Sequence, residues 1–449
     1  MNRNYKCDAG AKDAELALKL PAVGRRNVLK SVGAGAALAA VGAPPVLAQQ
    51  KTLRFLNAEP ARASVCVLRV AAATYEKQTG IKVIIDTIPA DDSFGKLQAS
   101  IAAGAPYDIA TLSFGGQVLL LAEAGQLVPM TKLVKKHKWG PNSVFPVKGE
   151  YYSYPYDYNF CWLYYRKDLY AQKGLKIPTT WDQLLDNCTA LTDGGKFGAS
   201  QPVGSNAATQ WMTLGYMWAE QVRMLDDNYK LILDGAEMRP KVVRYLDFMK
   251  KLAPTMPPGM TQALYGTVLG QFSAGQIAHA PYAGRLMEIL EEKAPDLVAR
   301  TGFFMYPDSS GKRSAVNHAF DQWLVVNTPM QVEALAFMEW FIEHHYIDFL
   351  HSAPLHFQPA RMDVYDDIRW RADPMIAKHS ELVEFMKSML TRTDVIIHSI
   401  DTEGPRIDLR PAKMFETFAI CEAIQNVIYK GMPSSEAVDM MSAKYRGVL

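Results

Sequence analysis

The amino-acid sequence predicts an α/β protein in which strands and helices alternate along the chain. Within residues 50–125, three short patterns rich in β-branched or apolar residues are each followed by a segment with apolar residues at helical spacing. Gly80, Gly104 and Gly125 follow these helical segments and supply stop signals. The predicted strands are 52–57, 81–88 and 107–112, and the predicted helices are 65–78, 93–103 and 116–124. Such alternation predicts a parallel sheet covered on both faces, with a ligand beyond the carboxyl ends of its strands.

The rest of the chain is predicted to be mainly helical. An alternating segment at 159–165 predicts a strand that leaves the first lobe for a second, and a strand at 322–326 follows a predicted loop at 309–319. The predicted helices are 181–191, 210–224, 241–252, 264–274, 331–343, 414–429 and 434–445.

The charge of the chain excludes several classes of partner. The 449 residues are 49% apolar and carry a formal net charge of +2, and residues 1–48 contain seven Lys or Arg and three Asp or Glu. The formal net charge of residues 49–449 is therefore about −2, and these residues contain no basic stripe. Nucleic acid and anionic membranes are poor candidate partners, and a small neutral ligand fits better.

The first 48 residues are typical of an export signal. Gly24 to Lys30 contain the paired arginines of a twin-arginine motif, and an apolar stretch at 31–41 follows. Val46 and Ala48 are small residues that frame a cleavage site before Gln49. The stretch is too short for a membrane span, and no lipid-attachment cysteine is present at the cleavage point. We therefore expect a protein exported to the periplasm and cleaved after Ala48; a buried Ala-rich helix of a cytoplasmic protein is the alternative.

The cysteines show no redox or metal-binding spacing. Cys7 lies in the leader, whereas Cys66, Cys161, Cys188 and Cys421 are far apart in the sequence. Buried free thiols are favoured for these four, and a disulfide is left open.

Seven segments, in order, resemble one known family. They are YEKQTGIKV (75–83), KLQASIAAGAPYDI (96–109), residues 119–129, the segment 154–169, PTTWDQL (178–184), FSAGQIAHA (272–280) and residues 431–437. Together they are similar to family 1 of the bacterial extracellular solute-binding proteins of ABC importers, which includes maltose-binding protein. His279 and Arg166 depart from the family's usual methionine and asparagine.

The resemblance implies a periplasmic binding protein-like fold, with two Rossmann-like lobes joined by a multi-strand hinge and a ligand cleft between them. Residues 49–158 and 317–353 would form the N-terminal lobe, and residues 159–316 and 354–449 the C-terminal lobe. It implies capture of a small solute, most simply a sugar or oligosaccharide, by hinge closure. It also implies a monomer that delivers this solute to permease subunits in the membrane, without catalysis, cofactor or metal.

Candidate ligand-binding residues come from strand ends and from the places where the chain would cross between lobes. A sugar needs aromatic faces for its C–H surfaces and carboxylates or amides for its hydroxyls. The strand-end turns supply Glu59, Asp91, Asp92, Ser113, Gly115 and Gln117. The crossings and the turn after 272–280 supply Tyr156, Asp157, Asn159, Tyr282, Arg285, Asp321, Trp323, Gln358 and Arg361. Edge-strand or core roles are the alternative for each.

Other functions remain open at this stage. Arg62, Arg285 and Arg361 keep a polyol or glycerol-phosphate-like solute possible. A secreted carbohydrate-active enzyme would need two acids across a cleft, which the sequence does not exclude. His344, His345, His351 and His356 lack metal-site spacing, so we expect a solvated helix end there.

Overall fold

Thirteen strands form two sheets in the computed structural model, which describes residues 50–449. The first sheet has the strand order β2-β1-β3-β11-β4. Its strands are β1 (Thr52–Asn57), β2 (Lys82–Thr87), β3 (Ile109–Leu112), β4 (Tyr154–Pro155) and β11 (Gln322–Val325). The second sheet contains β5 (Asp157–Arg166), β6 (Phe197–Ala199), β7 (Ile277–Tyr282), β8 (Thr301–Phe304), β9 (Tyr306–Pro307), β10 (Ser314–Ala319), β12 (Gln358–Pro359) and β13 (Ile396–His398).

Helices connect and cover the strands. They are α1 (Arg62–Thr79), α2 (Ala90–Ala102), α3 (Gly115–Glu123), α4 (Thr131–Val134), α5 (Lys167–Lys173), α6 (Trp181–Ala190), α7 (Ala207–Ala219), α8 (Arg239–Leu252), α9 (Tyr265–Ser273), α10 (Arg285–Lys293), α11 (Pro295–Val298), α12 (Gln331–Leu350), α13 (Met362–Tyr365), α14 (Ile368–Arg371), α15 (Pro374–Lys378), α16 (Ser380–Ser388), α17 (Leu409–Glu416), α18 (Ala419–Tyr429) and α19 (Ser434–Arg446). Local sequence explains several of their ends. The Asn206 side chain accepts the Thr209 N–H at the start of α7, and Gly80 ends α1 at a φ of 74°.

The predicted α/β class is confirmed, and the predicted parallel sheet is confirmed only in part. Strand β1 pairs in parallel with β2 and β3, whereas β11 runs antiparallel beside β3. In the second sheet, β5 pairs antiparallel with β7, β8, β10 and β12. All ten residues of β5 are buried, so this strand forms the centre of the second sheet.

Three predictions of local structure were wrong. The predicted loop 309–319 contains strand β10, which pairs with β5 through Asn317 and Ala319. The predicted helix 414–429 is two helices, α17 and α18, because the backbone turns at Phe418 with a φ of 50°. The predicted helix 331–343 continues to Leu350, because α12 buries an apolar stripe that includes Phe349 and Leu350.

The chain passes between the sheets near Tyr156 and again between Ala319 and Gln322. These two passages lie side by side, because the Tyr156 N–H donates to the Asp321 carbonyl oxygen at 2.9 Å. A third passage, from α12 to β12, lies within residues 351–357. The lobe boundaries 158/159, 316/317 and 353/354 remain a prediction.

The segment before α18 also links the two sheets. The Asp401 carboxylate accepts the N–H of Gly116 at the start of α3, at 2.8 Å. The rings of Phe114 and Phe415 lie 4.5 Å apart. Helix α17 therefore packs on α3, far from it in sequence. The twin-arginine motif, the cleavage site after Ala48 and Cys7 lie outside the described residues.

Candidate functional site

Two aspartates meet where the first two passages cross. Asp157 is the first residue of β5, and Asp321 lies between β10 and β11. The Asp321 N–H donates to Asp157 Oδ1 at 2.9 Å, and Asn159 Nδ2 donates to Asp321 Oδ2 at 3.2 Å. The hydroxyl of Ser113 also hydrogen-bonds Asp321. These contacts hold two buried carboxylates in fixed positions.

An ion pair joins the turn after β1 to the start of α10. Arg285 Nη2 lies 2.6 Å from Glu59 Oε2; Glu59 is buried, and the Arg285 side chain is 14% exposed. Glu59 Oε1 accepts the Ala61 N–H at 2.7 Å. One turn along α10, the Glu288 carboxylate accepts the backbone N–H groups of Leu355 and His356. Residues from both sheets therefore face one another through charged groups.

Aromatic rings line the same region from the second sheet. Tyr282 ends β7, and its ring lies 5.5 Å from the ring of Trp211, edge to face. Tyr265 begins α9 and lies 5.7 Å from Trp211. The hydroxyl of Tyr265 interacts electrostatically with Asp91, Tyr282 and Asp321. The rings therefore stand between the aspartates at the crossing and Asp91 at the start of α2.

Burial changes the acidity of these groups. Burial raises the pKa of Asp91 to about 6, opposed by a hydrogen bond from the Ala208 N–H and reinforced by the charge of Asp92. Burial raises the pKa of Asp321 to about 6, and burial together with the Asp321 charge raises that of Asp157 well above its ordinary value. Burial and the charge of Arg285 hold the pKa of His356 well below 6.5, so this imidazole is neutral at pH 7.

Several buried polar atoms of this region lack a hydrogen-bond partner among residues 50–449. They are Asp91 Oδ1, Asp157 Oδ2, Asn159 Oδ1 and His356 Nδ1. A buried polar atom left unpaired costs about 1–3 kcal/mol, and most such atoms in folded proteins are paired. Acceptors that converge beside aromatic rings form the kind of surface that a polyhydroxylated molecule would satisfy.

Nine of the fifteen predicted residues converge here: Glu59, Asp91, Ser113, Tyr156, Asp157, Asn159, Tyr282, Arg285 and Asp321. Tyr156 takes part through its hydroxyl, which interacts electrostatically with Asp321 and Asp157, while its ring packs on Trp323 at 4.5 Å. Whether these residues bind a ligand stays a prediction.

Two of the other six predicted residues lie away from this cluster, one exposed to solvent and one in the core. Asp92 is exposed on α2, one residue beyond Asp91. Trp323 is fully buried in β11, with rings of Tyr156, Phe341 and Phe349 around it. A strand alternates its faces, so Asp321 and Trp323 could not be assigned to one site by proximity in sequence.

The remaining four make other contacts. A Cβ on Gly115 would meet Phe145 and Thr402. Gln117 Nε2 donates to Glu416 Oε1 at the end of α17, at 3.0 Å. Gln358 Nε2 is bound by the Pro354 and Leu355 carbonyl oxygens. Arg361 pairs with Asp363 at 2.5 Å and lies over the Tyr346 ring.

Three further residues of the region were not among those predicted from their positions in the sequence. His356 is buried and lies 3.5 Å from Asn159, so the expected solvated helix end is wrong for this histidine. Trp211 and Tyr265 lie on helices whose apolar pattern looks like ordinary core. Only their position in space, close to Tyr282 and the aspartates, distinguishes Trp211 and Tyr265 from ordinary core residues.

The match to known proteins is extensive. The family model of the bacterial extracellular solute-binding proteins matches residues 67–345. The chain belongs to this family. Within residues 50–449 of this solute-binding protein, helices are too short or too polar to cross a bilayer.

Curated relatives and a solved structure support the assignment. A mannitol-binding protein of Pseudomonas aeruginosa is 26% identical over 226 residues, and a putative ABC transporter periplasmic-binding protein of Escherichia coli is 32% identical over 97 residues. The matched segments cover 47% and 21% of this chain, and only 50% and 22% of those relatives. An ABC transporter solute-binding protein of Thermotoga lettingae, solved with α-D-tagatose, has a TM-score of 0.71 at 20% identity, covering 89% of this chain and 99% of that one. The predicted family and the periplasmic binding protein-like fold are thus confirmed.

Proposed function

We propose that this protein is the periplasmic substrate-binding component of an ABC importer, and that it captures a sugar or polyol between its two sheets. One observation carries the proposal: carboxylates, an amide and aromatic rings from both sheets converge in a buried region with unsatisfied acceptors. Sugars and polyols offer many hydroxyl donors and apolar C–H faces. The tagatose and mannitol relatives point to the same chemical class.

The charge of the region favours a neutral solute over a phosphorylated one. Arg285 is already paired with Glu59, and Arg361 is paired with Asp363 outside the cluster. Arg62 is exposed at the start of α1. An anionic ligand would instead face Asp91, Asp157 and Asp321, which repel it. These three arginines therefore offer little positive charge to a glycerol-phosphate-like solute.

The placement of the groups supports capture by closure. Glu59, Asp91 and Ser113 follow strands of the first sheet, whereas Trp211, Tyr282 and Arg285 belong to elements around the second sheet. A solute held by both sets would favour the state in which the sheets approach. We propose that the protein acts as a monomer, without covalent chemistry, and presents this closed state to permease subunits.

A thermal-shift and calorimetric titration test the proposal. Mannitol, ribitol, tagatose and maltose are the probes, with glycerol 3-phosphate as the anionic comparison. A solute that binds only the folded chain raises its melting temperature by mass action. We expect at least one neutral probe to bind with 1:1 stoichiometry and to be recovered unchanged; failure of a broad panel of sugars and polyols, or turnover of a bound one, contradicts the proposal.

Tyr282→Ala tests the aromatic part of the site. Loss of a ring stacked on a sugar should weaken binding roughly 10- to 100-fold. Tyr429→Ala is the control, because Tyr429 is 54% exposed at the end of α18. If Tyr282→Ala lowers the melting temperature of the solute-free protein and leaves affinity unchanged, Tyr282 is a core residue only.

A further inference from the structure

Three potential metal ligands lie together where the chain passes between the two sheets. One ligand atom each from Asp157, Asp321 and His356 lies within 4.8 Å of the other two, and all three residues are buried. They come from three separate passages between the sheets: the start of β5, the turn before β11 and the segment before β12. We propose that this triad binds one first-row divalent cation, of the Mn²⁺ or Zn²⁺ type.

The acidic groups around the triad outnumber the basic ones, so a bound cation would balance their charge. Asp157 and Asp321 interact electrostatically with each other, with Glu59 and with Arg285, and Glu288 lies near the same arginine. Four carboxylates thus surround one guanidinium, which is already bound to Glu59 at 2.6 Å. Buried carboxylates need a proton or a counter-charge. A divalent ion between Asp157 and Asp321 supplies that charge.

The donor atoms suit such an ion. Asp157 is fully buried, and its Oδ2 has no hydrogen-bond partner among residues 50–449. Nδ1 of the buried His356 also has no hydrogen-bond partner among these residues. Two carboxylates with one imidazole match ions that accept both oxygen and nitrogen, whereas Ca²⁺ and Mg²⁺ prefer oxygen alone.

Neighbouring groups hold the three ligands in place. Asp157 Oδ1 is fixed by the Asp321 N–H, Asp321 Oδ2 by Asn159 Nδ2, and the His356 backbone by Glu288. Partners that orient metal ligands in this way typically contribute 10- to 100-fold in affinity. Three protein ligands leave positions open for water or for solute hydroxyls. The role of the ion in solute capture rests on the proposed function, but its binding does not.

Cobalt spectroscopy of the unmodified chain tests the proposal without any variant. Tag-free protein, freed of metal by a chelating resin, is titrated with Co²⁺ and then with Mn²⁺ by calorimetry. We expect one equivalent of Co²⁺ with visible d–d bands and no thiolate charge-transfer band. Absence of stoichiometric binding means that protons neutralise the aspartates and overturns the proposal. A thiolate band overturns it too, since it would assign the ion to a cysteine.

Variants locate the ion. Asp321→Asn and His356→Gln should each weaken Mn²⁺ binding at least about 10-fold. Glu416→Gln is the matched control, because Glu416 is another acid with a raised pKa but lies at the contact between α3 and α17. Unchanged Mn²⁺ affinity in folded His356→Gln and Asp321→Asn places the ion elsewhere. A neutral solute that still raises the melting temperature of metal-free protein preserves the proposed function even if metal binding fails.

Discussion

Replacing Glu416 by glutamine should make the protein more stable at high pH and leave it nearly unchanged at low pH. Glu416 ends α17, and burial raises its pKa from 4.5 to about 7, opposed by the hydrogen bond from Gln117 and reinforced by the charge of Asp401. Glutamine mimics the protonated acid and still accepts the hydrogen bond from Gln117 Nε2. The substitution therefore removes the charge and keeps the contact.

The sign follows from proton linkage. The folded chain holds this proton more tightly than the unfolded chain, so the contribution of Glu416 to stability is fully present below pH 4.5. It is lost as pH rises to about 7. The rise in the pKa of Glu416 from 4.5 to about 7 corresponds to a loss of about 3 kcal/mol in the free energy of unfolding. Because Glu416 keeps some contact with solvent, we expect a loss of about 2 kcal/mol.

Urea unfolding at pH 4 and pH 8 measures the effect. Glu416→Gln should exceed the wild type by about 2 kcal/mol in unfolding free energy at pH 8, and the two should agree within about 0.5 kcal/mol at pH 4. Glu436→Gln, at an exposed position of α19, is the control for loss of a glutamate charge on the surface. A difference between Glu416→Gln and wild type that is the same at both pH values would refute the reasoning.

Further predictions concern packing, the buried ion pair, the thiols and processing. Gly116→Ala should destabilise by about 1–3 kcal/mol in a thermal melt, because its Cβ would lie 2.9 Å from Ala412 Cβ on α17. Gly95→Ala, with nothing within 4 Å of the added Cβ, should be neutral or stabilising, and equal effects would contradict the packing argument. Glu59→Gln leaves the mostly buried Arg285 without its charged partner and should cost about 3 kcal/mol in urea unfolding. Adding Arg285→Gln should recover part of that loss; additive losses would mean that the pair is not coupled. Cys161, Cys188 and Cys421 are buried free thiols whose pKa burial raises, so peptide mapping after Ellman's reagent at pH 8 should find all three unmodified in folded protein. Envelope-derived protein should begin at Gln49 in N-terminal sequencing, and an intact Met1 would rule out export with cleavage.

The local sequence determined the elements of the first sheet and the family of the protein. The strand 52–57 was predicted at its observed bounds, and the helices after it were predicted within about three residues at each end. Stop signals such as Gly80 act on their own segment, so no distant contact was needed to recognise them. The family motifs are likewise contiguous segments of sequence.

Tertiary structure alone decided which polar side chains share a site. Asp157 and Asp321 were predicted because both lie at passages between the sheets, but Trp323 at the same passage belongs to the core. His356 joins them from almost two hundred residues beyond Asp157, and no local pattern connects it to them. In β5 every position is buried, so alternation carries no information about which face meets the cleft.

The contact between α3 and α17 could not be predicted from local sequence either. Gly115, Gly116 and Gln117 follow a strand of a parallel sheet, and strand-end geometry places a ligand there. In the folded chain, Asp401 and Glu416 occupy that position instead, about 300 residues later in the sequence. The sequence specifies each helix by short-range spacing and capping. Which charged group reaches the end of a helix depends on the path of the whole chain, because hydrogen bonds and ion pairs act over a few ångströms in space whatever their separation in sequence.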